Sequence, residues 1–216
     1  ARFEESDILA QRYTVARKAD ENATMRYIFL ASERTWQRFV TDAFKRTPNT
    51  MERHTLHNIA SVVQKESNCI QEMPLISSVI FNRLGKGMRL QMDGTLNYGK
   101  YSRTIVTPER IKNDQSFYNT YKFKGLPPHP LCTVSIDALK ASIKPAKSDY
   151  LFFMLDPAGT HNFSVTYEEH LKNIRAFRAF QEEKSKENRS EEPAVKSPDL
   201  AALSIKAADA NTTTNQ

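Results

Sequence analysis

The chain has 216 residues, 39% apolar and 26% charged, with a net charge of +6 and a pI of about 9.3. That length suits one sizeable core with at most a small appended part. The scattered Lys and Arg favour an anionic partner, but no nucleic-acid module accompanies them, so a nucleic-acid partner is not expected. No apolar run approaches the ~20 residues of a membrane span, and two cysteines without CxxC spacing exclude a disulfide framework and a zinc finger.

Residues 1–50 are expected to be mostly helical. Asp20 is placed to cap a helix running through Met25, Ile28, Phe29, Ser32, Trp36, Phe39, Val40 and Phe44. Pro48-Asn49-Thr50 breaks it. In the next helix Ile59, Val62 and Val63 form an apolar stripe, and Glu66 stands on that stripe four residues beyond Val62. A carboxyl group on a core-facing stripe keeps its proton near neutral pH, as a general acid must. The bland alternative is a helix-end glutamate paired with a basic neighbour. His54-x-x-His57 lacks zinc-protease spacing and reads as a solvated helix start, with no metal implied.

The Glu66 helix is expected to stop before Pro74. A second helix carries Leu75, Ile76, Val79, Ile80 and Leu84 and closes at Gly85-Lys86-Gly87. Residues 88–133 hold short regular pieces, including a helix start at Thr107-Pro108-Glu109. If Leu90–Gly99 is extended, Gln91, Asp93, Thr95 and Asn97 share one polar face. Phe117–Tyr121 offers rings beside amides, which suits carbohydrate but also a structural corner.

Ser135 caps a helix through Ile136, Leu139 and Ile143. Tyr150–Leu155 reads as a buried strand and His161–Ser164 as its hairpin partner, with His161 a candidate site residue and His170 structural. Thr166 and Glu169 form a capping-box pair for a last helix through Leu171, Ile174, Phe177 and Phe180. From Gln181 onward no aromatic residue occurs, and a disordered tail is expected. The fold class is therefore α+β, mainly helical with a small antiparallel hairpin. Its parts are an N-terminal helical portion (1–50), a catalytic core (51–180) and the tail (181–216). Ala1–Ala10 is not a signal peptide, and the absent initiator Met points to a gene product that begins upstream.

The order of several segments resembles a known family, the YceG-like endolytic murein transglycosylases. The segments are Ala60–Glu66, Phe81-Asn82-Arg83-Leu84, Gly87-Met88, Leu90–Thr95 and Tyr98-Gly99. They continue as Tyr118–Tyr121, Gly125-Leu126-Pro127-Pro128, Pro145-Ala146, Asp149–Phe153, and His161 with Phe163, Ser164, Thr166, Tyr167, Glu169 and His170. The resemblance is dense over 58–175. Departures are Gly94 where the family usually has Pro, His129 where it has Gly, and Thr133-Val134-Ser135 near an Asn-Pro-Gly.

The resemblance carries the family's catalytic glutamate onto Glu66. It implies endolytic cleavage of the MurNAc-GlcNAc bond in peptidoglycan strands, with a 1,6-anhydro product and no cofactor or metal. Gln91, Asp93, Tyr118 and Asn119 are assigned to substrate positioning, with Thr95, Asn82 and His161 as further binding candidates. Asp93 could instead be a second carboxylate supporting transition-state charge. An anchor in the inner membrane, a domain on its periplasmic face and cell-wall synthases as candidate partners are also implied. The alternatives are a non-catalytic wall-binding module and a hydrolytic muramidase.

Overall fold

The computed structural model describes residues 7–102 and 104–191, with side chains through 186. Contacts divide the chain into two units, Ala1–Phe177 and Arg178–Gln216. The first unit is mainly helical with one two-stranded antiparallel sheet, an α+β fold.

Helix α1 (Glu21–Ala43) starts where the Asp20 side chain accepts the Ala23 N–H at 2.7 Å. Its stripe buries Ser32, Trp36, Phe39 and Val40. Residues 8–19, which precede it, are not helical, where the sequence expectation made residues 1–50 mostly helical. Leu9 forms a parallel bridge with Val134. The Leu9 N–H donates to Ser32 Oγ at 3.2 Å, and the Tyr13 hydroxyl donates to the Leu9 carbonyl at 2.6 Å. Tertiary partners thus satisfy backbone groups that a helix would otherwise pair.

Helix α2 (Thr50–Glu66) opens with a capping box between Asn49 and Glu52. Every residue from His57 to Val63 is buried. A helix enclosed on all sides belongs at the centre of a core, and α3 (Met73–Gly85) and α5 (Ile136–Ile143) pack against it. The solvated reading of His54-x-x-His57 is corrected for His57, which is 2% exposed and meets the Trp36 ring edge-on at 4.8 Å. Burial pushes its pKa down to about 4.

Helix α2 ends at Glu66 itself, earlier than Pro74 alone would require, and a 3-10 turn at Ile70–Glu72 leads into α3. Pro74 falls in the first turn of α3, where its missing N–H goes unneeded. Gly87, at φ +64°, closes α3 as expected, with its N–H on the Leu84 carbonyl and the Met88 N–H on that of Arg83.

In the middle region, α4 (Pro108–Asn113) is capped by Thr107. Asp93–Thr95 forms a 3-10 turn. The extended face expected for Gln91, Asp93, Thr95 and Asn97 is therefore not formed, because Thr95 is drawn inward. It is 0% exposed, and its hydroxyl donates to the Met92 carbonyl at 2.7 Å. Polar side chains of α2 secure the loop that follows. Asn58 donates to the Pro127 carbonyl at 2.6 Å, Ser61 Oγ accepts the Leu131 N–H at 2.9 Å, and Gln64 Oε1 accepts the Ser135 N–H at 3.2 Å.

Asn119 is also fully buried. Its amide donates to the Ile111 and Asp114 carbonyls at 2.8 and 2.9 Å, and its oxygen accepts the Tyr121 N–H at 3.1 Å. It holds the 111–121 loop together from within. Asn119→Ala orphans the Ile111 carbonyl and the Tyr121 N–H, while the Asp114 carbonyl keeps Lys122 Nζ at 2.9 Å, and is expected to destabilise the fold by about 2–4 kcal/mol. Urea unfolding measures this; an unchanged midpoint would refute the structural role.

Strands β1 (Phe152–Leu155) and β2 (His161–Ser164) pair with Phe153 opposite Phe163 and Leu155 opposite His161. Helix α6 (Tyr167–Glu191) begins with the expected capping pair. Glu169 N–H donates to Thr166 Oγ1 at 3.2 Å, and Thr166 N–H donates to Glu169 Oε2 at 3.1 Å. In the second unit this helix runs on to Glu191, past the Gln181 boundary read from the sequence. Glu, Lys, Gln and Arg are good helix formers, so low hydrophobicity did not stop it. The rest of the expected tail, 192–216, lies outside the described residues.

Neither Cys69 nor Cys132 is in a disulfide among the described residues, and the Cys132 thiol meets the Ser61 carbonyl at 3.7 Å. Among the described residues, no helix is long and apolar enough to cross a membrane.

Candidate active site

A cleft of about 450 Å³ opens beside the end of α2. One bank is Leu90, Gln91, Asp93 and Tyr121. The other is β1 with His161 and the start of α6. Glu66 lies between them.

Glu66 is the last residue of α2, so its carboxyl sits at the negative end of a helix dipole. Its side chain keeps an opening to the cleft while protein crowds the rest. Oε1 accepts the Gly94 N–H at 2.6 Å, which leaves Oε2 to carry a proton. Burial, with help from the nearby Asp93 charge, outweighs that hydrogen bond and pushes the pKa up to about 7. Among the described residues no basic side chain pairs with the carboxyl, so the helix-end ion pair considered from sequence is not formed there. In this chain the Gly94–Glu66 contact is this close because position 94 carries no Cβ. A Cβ at position 94 would come within 2.7 Å of both Glu66 Oε1 and Lys65 Cβ.

Asp93 is exposed, and its Oδ1 accepts the Tyr121 hydroxyl at 2.6 Å. Burial and that carboxylate hold the phenol well above its ordinary pKa, so it stays a neutral donor. Gln91 has φ +51°, rare for a residue with a side chain. Its backbone N–H donates to the Thr120 carbonyl at 3.1 Å, and its amide oxygen lies 3.3 Å from Arg83. A strained backbone held from both sides at a cleft wall is a mark of function.

Arg83 lines the cleft floor. Its guanidinium donates to the Leu151 carbonyl at 2.6 Å on one bank and to the Leu90 carbonyl at 2.7 Å on the other. It also lies over the Phe152 ring at 5.1 Å. Across the cleft, Glu72 accepts both the His161 backbone N–H at 2.5 Å and its Nδ1 at 2.9 Å. Burial pushes the Glu72 carboxyl up, but the His161 contacts prevail and hold it below its ordinary value. The imidazole is thereby fixed in orientation at the cleft edge.

Of the residues singled out from sequence, the structure gathers Glu66, Gln91, Asp93 and His161 around one cleft. Thr95 and Asn119 lie beneath it, fully buried. Asn82 donates to the Ser148 and Tyr150 carbonyls at 2.8 and 2.9 Å and supports the approach to β1. Tyr118 faces a different cavity, stacked on Tyr98 at 4.6 Å. Sequence reasoning missed Tyr121, Arg83, Glu72 and Gly94 as parts of the site. The spacing held one clue: Tyr118 and Tyr121 are three apart around a tight turn, so only one of them faces the cleft.

These features define a mainly helical α+β domain organised around one proton-holding carboxyl in an open groove. The profile of the YceG-like family matches residues 3–176, and the chain belongs to that family. It is 36% identical over 126 residues to the endolytic murein transglycosylase of Bacillus subtilis (strain 168), covering 57% of this chain and 34% of that protein. The protein of the same description from Streptococcus pneumoniae serotype 2 (strain D39 / NCTC 7466) is 36% identical over 125 residues, covering 55% and 23%. The chain thus spans about a third or less of these relatives. A crystal structure of a YceG-like protein from Listeria monocytogenes superposes with a TM-score of 0.64 at 30% identity, covering 77% of this chain and 54% of that one.

Proposed function

We propose that the protein to which this chain belongs is a lytic transglycosylase that cuts peptidoglycan strands internally, between N-acetylmuramic acid and N-acetylglucosamine. The observation that carries this reading is Glu66: a carboxyl with pKa near 7, one oxygen held by the Gly94 N–H and the other available in a cleft. The naming of its relatives as endolytic murein transglycosylases supports the substrate class.

Glu66 Oε2–H gives its proton to the glycosidic oxygen as the C1–O bond breaks. Asp93, held by Tyr121, supports positive charge developing at the anomeric carbon. The muramic 6-hydroxyl then attacks C1, and Glu66 takes its proton, which restores the acid and leaves a 1,6-anhydro ring. Because the nucleophile is part of the same sugar, no second carboxylate is needed to activate water. The Gly94 N–H stabilises the carboxylate in the interval between the two proton transfers. Gln91 and His161 supply polar contacts to the strand from opposite banks. The reading places the protein outside the cytoplasm, at the periplasmic face of the inner membrane.

Mass spectrometry of strands digested with the protein tests this. Internal fragments with 1,6-anhydromuramic ends support it. Reducing ends would make the protein a hydrolase, and binding without products would make it a wall-binding module. Tyr121→Phe frees the Asp93 carboxylate and is expected to lower kcat about tenfold with little change in strand affinity. Steady-state release of anhydro ends reads this, and unchanged kcat would remove Tyr121 from the machinery.

A further inference from the structure

We propose that a second cavity, of about 670 Å³, binds the anionic peptide branch that a wall glycan carries beside its sugar backbone. This rests on the glycan reading above and adds a subsite to it. The cavity and the cleft are lined by neighbouring residues of the same two segments. Asp93 lines the cleft while Leu96 and Tyr98, just beyond it, line the cavity. Tyr121 lines the cleft while Tyr118 lines the cavity. The proposal seats a strand against Glu66 and carries its side branch across the 93–98 and 118–121 segments into this cavity.

The chemistry of the cavity is cationic. Arg110 is half-buried and donates to Thr104 Oγ1 at 2.6 Å and to the Leu96 carbonyl, both neutral acceptors. Its Nε is buried without a partner. Its guanidinium lies 4.3 Å from the centre of the Tyr101 ring, and Lys100 Nζ lies 5.0 Å from the same ring. Among the described residues, no carboxylate pairs with either cation. Asp114 also lines the cavity, but its Oδ1 is turned to the Ser116 N–H at 2.8 Å. A half-buried guanidinium without a countercharge is poorly compensated, and an incoming carboxylate supplies what it lacks.

The rings do not favour a sugar here. Tyr98 and Tyr118 stack on each other with planes 14° apart, and Tyr101 is covered by the two cations. Stem peptides attached to muramic residues carry several carboxylates. They are the anionic part of the substrate and lie next to the bond being cut.

The test measures binding by the 216-residue chain carrying Glu66→Gln, which slows turnover enough for binding to be read. The probes are glycan strands with stem peptides, the same strands with the stem carboxylates amidated, and strands stripped of peptide. Stem-bearing strands should bind roughly tenfold tighter than stripped ones. Amidation should remove that advantage without any change to the protein. Lys100→Gln and Arg110→Gln should each reduce it while leaving affinity for stripped strands unchanged. Equal binding of all three strands, or a preference that survives amidation, overturns the peptide subsite and leaves the glycan reading standing. Failure to bind any strand overturns both.

Discussion

Glu66→Gln is expected to lower the release of anhydro ends by roughly 10³–10⁴-fold, with strand affinity little changed. One group serves as acid in the first half of the reaction and as base in the second, so both steps lose their proton carrier together. The parent should lose activity as pH rises through about 7, because only the protonated carboxyl can start the reaction. The residual activity of the variant should lack that limb. Stability gives an independent reading. The folded carboxyl has a pKa raised above its ordinary value, so the folded state binds the proton more tightly than the unfolded chain does. Its contribution is fully present below the ordinary carboxyl range and is lost as pH rises through about 7. Glu66→Gln should therefore be more stable than the parent by about 1–2 kcal/mol at pH 8, and the difference should disappear near pH 4. Equal melting curves at both pH values would show that the carboxyl is not desolvated.

Gly94→Ala should be nearly as damaging although it adds a single methyl group. The new Cβ would stand 2.7 Å from Glu66 Oε1 and from Lys65 Cβ, so either the turn or the carboxyl must move. A displacement of this kind at an acid is worth roughly 10² in kcat, with about 1–3 kcal/mol of stability lost to overpacking. The direction of the pH shift identifies the cause. The Gly94 N–H stabilises the charged form of Glu66, so weakening it raises the pKa and moves the basic limb to higher pH. A loss of kcat with the limb unmoved would point to general damage to the turn.

The architecture was legible in the sequence wherever a local device declared it. Asp20, Asn49, Thr107, Ser135 and Thr166 all stand at helix starts, and four of these five starts were read from them. Gly87 closes α3 as its neighbours suggested. Glu66 was legible because a charged residue on an apolar stripe breaks a pattern. What periodicity could not supply was the fate of polar residues in irregular backbone. Thr95 and Asn119 looked like surface contacts because they are polar, yet each is buried with hydrogen bonds to backbone. Arg83 and Glu72 carried no local signal of a site. Their partners lie 68 residues away for Arg83, at Leu151 just before β1, and 89 away for Glu72, and no local pattern records such distances. The tail boundary failed for the opposite reason, since helix propensity extended α6 where a hydrophobic count saw nothing to bury.

Arg83 reaches one bank of the cleft through Leu151 and the other through Leu90, from a single planar group whose nitrogens cannot spread. At this point the gap between the banks is spanned by one rigid guanidinium, which ties the two sides to a fixed separation as a calliper does. Under the transglycosylase reading, a strand is expected to thread along the groove without the banks parting, and selection among strands then falls to whatever hangs from the sides.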